Sequence, residues 1–366
     1  MDRNAYQLSL NVDSTARALA QWTVSRLDDA DPTLGERYGD DWRTHWLRDI
    51  QVRIHHLAQA VAIESPDLFV ASVRWSQAAY LARRIDGSDL RRALECLSAV
   101  IEHEVPAPMK EALHPIISAA MRATVEDQGI AKMPATRDRL MDPDSPTGLM
   151  TLRYLEALLD GEQRAAEAMI LGAAESGMSI EVIYEDVLRV AQREIGLMWH
   201  HNEITVADEH FATATTDIIL SRLRQYFPPF SPRDRRLVAT TVGGDLHALG
   251  VRMVADFFEI DGWNVYYLGA NTPRNDIIDI TRHRNADLLA LSAASVLHIR
   301  DLAELIDSMR EHEDLDDVRV LVGGPVFCCL PELWRQLGAD GSAQTGPEAV
   351  EIGNRLFDTF RLARGD

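Results

Sequence analysis

Residues 237–250 read Leu237-Val238-Ala239-Thr240-Thr241-Val242-Gly243-Gly244-Asp245-Leu246-His247-Ala248-Leu249-Gly250. The first six are apolar or β-branched and predict a short strand buried on both faces. Gly243-Gly244 ends it. Asp245 and His247 then fall just beyond the strand's carboxyl end, where ligands bind in open α/β sheets. A neutral imidazole there suits a borderline metal ion. Asp245, two residues earlier, is placed to accept the other ring N–H, which fixes the tautomer and raises the basicity of the ligating nitrogen. Gly250 lets a ligand chain pass close to the backbone. Taken alone, the Asp-x-His-x-x-Gly string is weak, since a loop histidine with a local hydrogen bond has the same form.

Downstream, strands alternate with helices. Segments 264–268, 288–292 and 319–322 are short apolar strands, a weaker one lies near 342–344, and a final helix starts at Pro347. Five βα units of this kind predict a parallel sheet covered on both faces, in a flavodoxin-like order. Upstream, four helical patterns fill 147–159, 162–175, 180–198 and 207–226, separated by Gly161, Gly177 and the polar stretch 200–205. Short connections between amphipathic helices predict an antiparallel bundle. The Pro-rich stretch 227–232 bounds it.

The segment 14–128 also reads as helix throughout. Asp40-Asp41 precedes a periodic stretch over 42–63, and Ser65-Pro66-Asp67 offers an N-cap with Pro at the first helical position. Further helices fit 88–103 and 108–125, and 132–146, rich in Pro, Asp and Arg, reads as a linker. The expected architecture is a multidomain α plus α/β chain. An all-helical domain (1–140) precedes a four-helix-bundle cap (145–230) and a Rossmann-like, flavodoxin-like parallel-sheet domain (236–366).

The chain has 366 residues and a net charge of −20, with no Lys/Arg-rich segment. A duplex-binding surface needs a basic face, so a nucleic-acid partner is not expected. Charged residues interrupt every apolar run before it reaches membrane-spanning length, and the N-terminus lacks a signal-peptide layout. Cys96, Cys328 and Cys329 form no disulfide framework or zinc spacing. A cytoplasmic protein without a membrane partner is the expectation. No nucleophile–base pair or paired carboxylates stand out, so the chain is not expected to be an enzyme.

Two further elements follow the first motif. Ser292-Ala293-Ala294 comes after about forty residues and Gly323-Gly324 after fewer than about thirty more. The set resembles the cobalamin-binding fingerprint Asp-x-His-x-x-Gly, Ser-x-Leu and Gly-Gly. The resemblance implies that the dimethylbenzimidazole tail of cobalamin leaves cobalt and threads a channel beside these elements. It also implies that His247, backed by Asp245, becomes the lower cobalt ligand. Ser292 ends the third strand and Gly323 follows the fourth, so Asp245, His247, Gly250, Ser292, Gly323 and Gly324 converge on one sheet edge. Ala294 stands where the pattern has Leu, which bears on the shape of the tail channel. Gly243-Gly244 lacks the full dinucleotide glycine fingerprint, which weakens a nicotinamide or flavin reading.

In the bundle, Trp199 is followed after nine residues by Glu209-His210. This spacing resembles the cap of the CarH-type light-sensing cobalamin proteins. The resemblance implies that Trp199 covers the upper ligand and Glu209 binds a ribose hydroxyl of a 5′-deoxyadenosyl group. It further implies that His200, directly after the tryptophan, takes the vacated cobalt site after photolysis. The plain alternatives are a core tryptophan, a solvated carboxylate at a helix start and a surface histidine.

CarH-type regulators begin with a helix-turn-helix domain, and nothing in 1–140 matches one. A helical domain of this length is similar in architecture to the globin-like domain of the photocobilins, which bind a bilin beside cobalamin. Trp42, Trp46, Asp49, Arg53 and His56 share one helical stripe by spacing, with Arg74, Trp75 and Tyr80 beyond it. The resemblance implies biliverdin, with Asp49 at its pyrrole N–H groups and Arg53 or Arg74 at a propionate. Ordinary amphipathic helices would show the same stripe. Cys96, in an apolar helix, reads as a buried core thiol. Together these features lead us to expect a photoreceptor that binds adenosylcobalamin and biliverdin. It would signal by cobalt–carbon photolysis through a homo-oligomer or a separate signalling partner. The alternatives are a corrinoid methyl carrier serving partner methyltransferases and a cobalamin sensor without photochemistry.

Overall fold

The computed structural model describes residues 1–126, 142, 144–229 and 231–364. Most of the expected linker 132–146 lies outside them. The chain forms two compact units, Met1–Pro134 with Val296–Glu304, and Ala135–Ser295 with Leu305–Asp366.

The first unit is helical: α1 (Arg3–Ala30), α2 (Leu34–Tyr38), α3 (Trp42–Ala62), α4 (Pro66–Ala82), α5 (Gly87–Glu104) and α6 (Ala107–Glu126). Helix α1 begins eleven residues before the sequence reading places it. The Asp2 carboxylate accepts the N–H groups of Asn4 and Ala5, and Ser9 and Val12 already belong to the buried stripe. The short α2 was not foreseen. It is held from the side, because Tyr38 Oη and Arg37 Nη1 both donate to the buried Asp89 carboxylate at 2.5 Å. Leu19, Leu27, Ile50, Ile54, Leu57, Phe69, Leu94 and Ile117 are buried in the core. Trp42, expected on a ligand wall, is fully buried among them. Within the same unit Arg300 N donates to the buried Gln59 Oε1 at 2.8 Å, and Arg300 Nη1 pairs with Asp13 at 2.5 Å.

The second unit opens with the bundle: α7 (Pro146–Leu159), α8 (Gln163–Glu175), α9 (Ile180–Val182), a π-helical turn (Ile183–Leu188), α10 (Arg189–His200) and α11 (Val206–Leu223). The third helix of the sequence reading is thus one helix with a π turn in its first half. Its widened turn carries Tyr184, whose hydroxyl donates to Asp256 at 2.9 Å.

Five parallel strands follow, β1 (Arg236–Val242), β2 (Asn264–Thr272), β3 (Leu288–Ser292), β4 (Arg319–Gly323) and β5 (Gly341–Ala343), in the order β2-β1-β3-β4-β5. This is the flavodoxin-like order expected. The intervening helices are α12 (Leu249–Ile260), α13 (Arg274–His283), α14 (Ile299–Arg310), α15 (Pro325–Cys329), α16 (Leu333–Gln336) and α17 (Gly346–Arg364). All of β3 is buried, as its unbroken Leu-Leu-Ala-Leu run requires of a central strand. β2 runs four residues further than read, with two register slips against β1. Bundle and sheet share a core. Tyr154, Ile170, Tyr184, Leu188 and Ile219 pack in one cluster with Met253 and Phe257 of α12.

Candidate functional site

One row of in-register partners crosses the carboxyl edge of the sheet: Thr241, Ser292, Gly323 and Ala343. The three sequence elements therefore meet at one place. Gly324 has φ +107, and a Cβ there would fall 2.5 Å from the Ala293 carbonyl oxygen and 3.0 Å from Ser292 Oγ. Glycine is what allows β4 to turn out of the sheet against the Ser292 loop. At Gly250, in the first turn of α12, a Cβ would meet nothing within 4 Å. That opening fits a ligand chain passing along the edge.

Asp245 is fully buried. Its Oδ1 accepts the His247 backbone N–H at 3.0 Å and lies 2.8 Å from His247 Nδ1. Its Oδ2 accepts the Ala294 N–H at 2.9 Å. The carboxylate thus ties the first element to the second. Ala294 contributes its backbone to this tie, so the departure from Leu leaves the anchor intact. With Nδ1 engaged, Nε2 is the nitrogen left for a metal, on a ring that is 69% exposed. The hydrogen bond to Asp245 raises the imidazole's proton affinity, burial opposes it, and the charges of Asp245 and Glu209 add to the rise.

Sequence reasoning missed two residues here. Thr241 Oγ1 donates to the Asp245 carbonyl at 2.6 Å, and Asn271 N donates to the same carbonyl at 3.0 Å. Asn271 Oδ1 accepts the Gly244 N–H at 2.6 Å. The one sequence hint was Asn271-Thr272-Pro273, a turn-prone triplet at the end of β2.

In the bundle, Thr205 and Asp208 form a capping box that starts α11. One turn on, Glu209 Oε1 accepts from Thr213 Oγ1 at 3.0 Å. The hydroxyl of Thr213 also reaches Gln192, whose amide donates to Thr216 at 2.7 Å, and Thr216 bonds the buried Tyr154 hydroxyl at 2.8 Å. A polar ladder through the bundle therefore orients Glu209. Trp199 is half-buried. His200 is 3% exposed, with its ring 5.6 Å from that of His201. His210 is exposed, 3.5 Å from Glu209.

In the helical unit, Arg53 Nη2 donates to Asp49 at 2.7 Å and lies 3.4 Å from Tyr80 Oη, and the Tyr80 ring meets Trp46 edge-on. His56 is depressed to about 4 by burial and the nearby Arg53 charge. Arg74 and Trp75 are exposed on α4. Cys96 is buried, as read.

Among the described residues no cluster of three or more His, Cys, Asp or Glu side chains is arranged for a metal ion. A metal that arrives in a macrocycle would need a single protein donor, which a lone anchored imidazole such as His247 could supply. No described helix is long and apolar enough to cross a membrane.

Family models described as B12 binding domain match residues 235–352 and 152–224. A corrinoid protein of Desulfitobacterium hafniense is 23% identical over 207 residues, 55% of this chain and 94% of the relative. A dimethylamine corrinoid protein of Methanosarcina acetivorans is 24% identical over 178 residues, 48% of this chain and 82% of its own. The structure of the Methanosarcina barkeri monomethylamine corrinoid protein superposes with a TM-score of 0.52 at 19% identity, covering 57% of this chain and 98% of that one. Bundle and sheet together therefore make a cobalamin-binding module, with the Asp245–His247 pair at its carboxyl edge.

Proposed function

We propose that this chain carries a corrinoid as a shuttle for one-carbon groups, without turning over substrate itself, and works with a separate methyltransferase. One observation carries the reading. The module matches a corrinoid protein over 94% of its length and a dimethylamine corrinoid protein over 82% of its length. When bound, cobalamin would supply a cobalt–carbon bond open to cleavage, by a partner enzyme in a carrier or by light in a sensor. His247, its Nδ1 engaged by Asp245, would hold the cobalamin through Nε2. Asp245 keeps the ring oriented and Ala294 keeps Asp245 in place. Trp199 and Glu209, on the bundle side, would exclude water from the bound group and set which cobalt substituent is tolerated. Full-length protein loaded with methylcobalamin should hand its methyl group to a thiol acceptor when a corrinoid-dependent methyltransferase is added. Methylcobalamin that survives unchanged with competent partner enzymes would overturn the reading.

A second reading, the adenosylcobalamin photoreceptor with a bilin, draws support from two specific features. The relatives are matched almost end to end yet cover about half of this chain, and both family matches begin at or beyond residue 152, so the helical unit is additional to the carrier module. Within that unit Arg53 is buried with Nε and Nη1 unpartnered, beside Asp49 and Tyr80. A ligand carboxylate such as a biliverdin propionate would satisfy those donors. Titration with biliverdin separates the readings. A saturable red band lost in Arg53→Leu favours the photoreceptor, and its absence leaves the carrier.

A further inference from the structure

We infer that Asn271 is a positioning residue for the His247 imidazole, acting through the backbone of Asp245. This rests on His247 being the lower ligand of the bound corrinoid.

An axial histidine on a loop is only as well placed as the group that orients it. Here that group is Asp245, and its carboxylate is fixed at both oxygens, by His247 and by Ala294 N. The carboxylate in turn depends on the peptide it hangs from. That peptide lies beyond β1, which ends at Val242, so the regular strand ladder does not fix it. Its carbonyl is held by Thr241 Oγ1 at 2.6 Å and by Asn271 N at 3.0 Å. Two peptides earlier, Asn271 Oδ1 accepts the Gly244 N–H at 2.6 Å. Asn271 N also lies 3.0 Å from Thr241 Oγ1, so the three residues close a ring around the Gly244–Asp245 turn.

The backbone of β2 is shaped for this contact. Its register against β1 slips between Ala239 and Thr240 and again between Thr240 and Val242, so that two residues of β2, Ala270 and Asn271, stand opposite Thr241. Such a bulge re-aims a side chain at a sheet edge. Asn271 itself has φ +56, in the left-handed region. Only a few residue types tolerate that region, and of these Asn and Asp also offer a side-chain acceptor at short reach. Glycine would satisfy the backbone but would leave the Gly244 N–H without its acceptor. Alanine would fail on both counts.

The test uses the full chain and three variants, Asn271→Asp, Asn271→Gly and Asn271→Ala, with His247→Ala as the reference. Each is titrated with hydroxocobalamin, and the bound cobalamin is reduced to Co(II) for its EPR signature of an axial nitrogen. Urea midpoints of the unloaded proteins report folding separately. Asn271→Gly should keep the urea midpoint, weaken hydroxocobalamin binding roughly tenfold and lower the fraction with an axial nitrogen. Asn271→Ala should lose stability as well, and Asn271→Asp should keep wild-type affinity and signal. Wild-type affinity and a full axial-nitrogen signal in Asn271→Gly would overturn the inference, provided His247→Ala has lost that signal. An unchanged signal in His247→Ala overturns the ligand assignment and this inference with it.

Discussion

His247 and Asp245 form a pair in which one member is nearly solvent-accessible and the other fully buried. In the proposed reading the exposed member would meet the ligand, and the buried member, hydrogen-bonded at both carboxylate oxygens, orients it. His247→Ala should abolish the axial-nitrogen EPR signal of the Co(II) form and speed loss of cobalamin on gel filtration. Asp245→Ala keeps the imidazole but frees its ring and strands the Ala294 N–H. Cobalamin affinity should fall by about 10–100-fold, the usual range for a partner behind a metal-bound histidine, as read by titration. His56 supplies a prediction of a different kind. Its folded pKa, near 4, lies below the ordinary 6.5. The unfolded chain therefore binds the proton first as pH falls. The stability that neutral His56 contributes is complete above about pH 6.5, declines below it, and is gone once pH passes the folded value. Because the ring is partly exposed, the effect should be about 1–2 kcal/mol. Urea unfolding of wild type and His56→Gln, compared between about pH 7 and pH 4, should show a flatter pH slope in the variant.

At the scale of elements, the bundle is joined to the sheet through α12. Asp256, 2% exposed, takes a hydrogen bond from Tyr184 in the π turn and an ion pair from Arg224 at the end of the bundle. Burial raises the Asp256 pKa, and the Tyr184 hydroxyl, with Arg224 and Arg252, counters this. A buried carboxylate that loses one donor is costly, because its desolvation is no longer compensated. Tyr184→Phe should lower unfolding stability by about 1–3 kcal/mol. The measurement is the denaturant midpoint, and an unchanged midpoint would mean that Arg224 alone satisfies Asp256. The π turn belongs to the same argument, since a regular helix would rotate Tyr184 away from its present direction.

For the whole molecule, the decisive contrast is between a shuttle and a switch. A shuttle needs its cobalt accessible to a second protein and needs no change of assembly on illumination. Adenosylcobalamin-loaded full-length protein should therefore elute at the same volume in size-exclusion chromatography before and after green light. A light-dependent shift in that volume would move the conclusion to the photoreceptor. The spacing of Trp199 and Glu209 and the additional helical unit make that outcome worth measuring directly.

The sequence by itself determined the α plus α/β organisation, the strand order and the residues that gather at the carboxyl edge of the sheet. It did so because each of these is written locally. Apolar period separates bundle from sheet, and Asp245, His247, Ser292 and Gly323-Gly324 sit at strand ends that the alternation locates. What only the tertiary structure decided involves partners far apart in the chain. The Ala294 N–H on Asp245 and the Asn271 brace depend on backbone groups and a slip of register, while the Gln192–Thr216–Tyr154 ladder behind Glu209 and the Tyr184 bond to Asp256 join side chains of different helices. These carry no periodic signature, since any residue supplies an N–H and a bulge adds one unmarked position to a strand. In the helical unit the stripe of Asp49, Arg53 and His56 was legible, but Trp42 on the same stripe faces the core and Arg74 faces solvent. Spacing along one helix sets which residues share a side, and only packing against the neighbouring helices sets what that side meets.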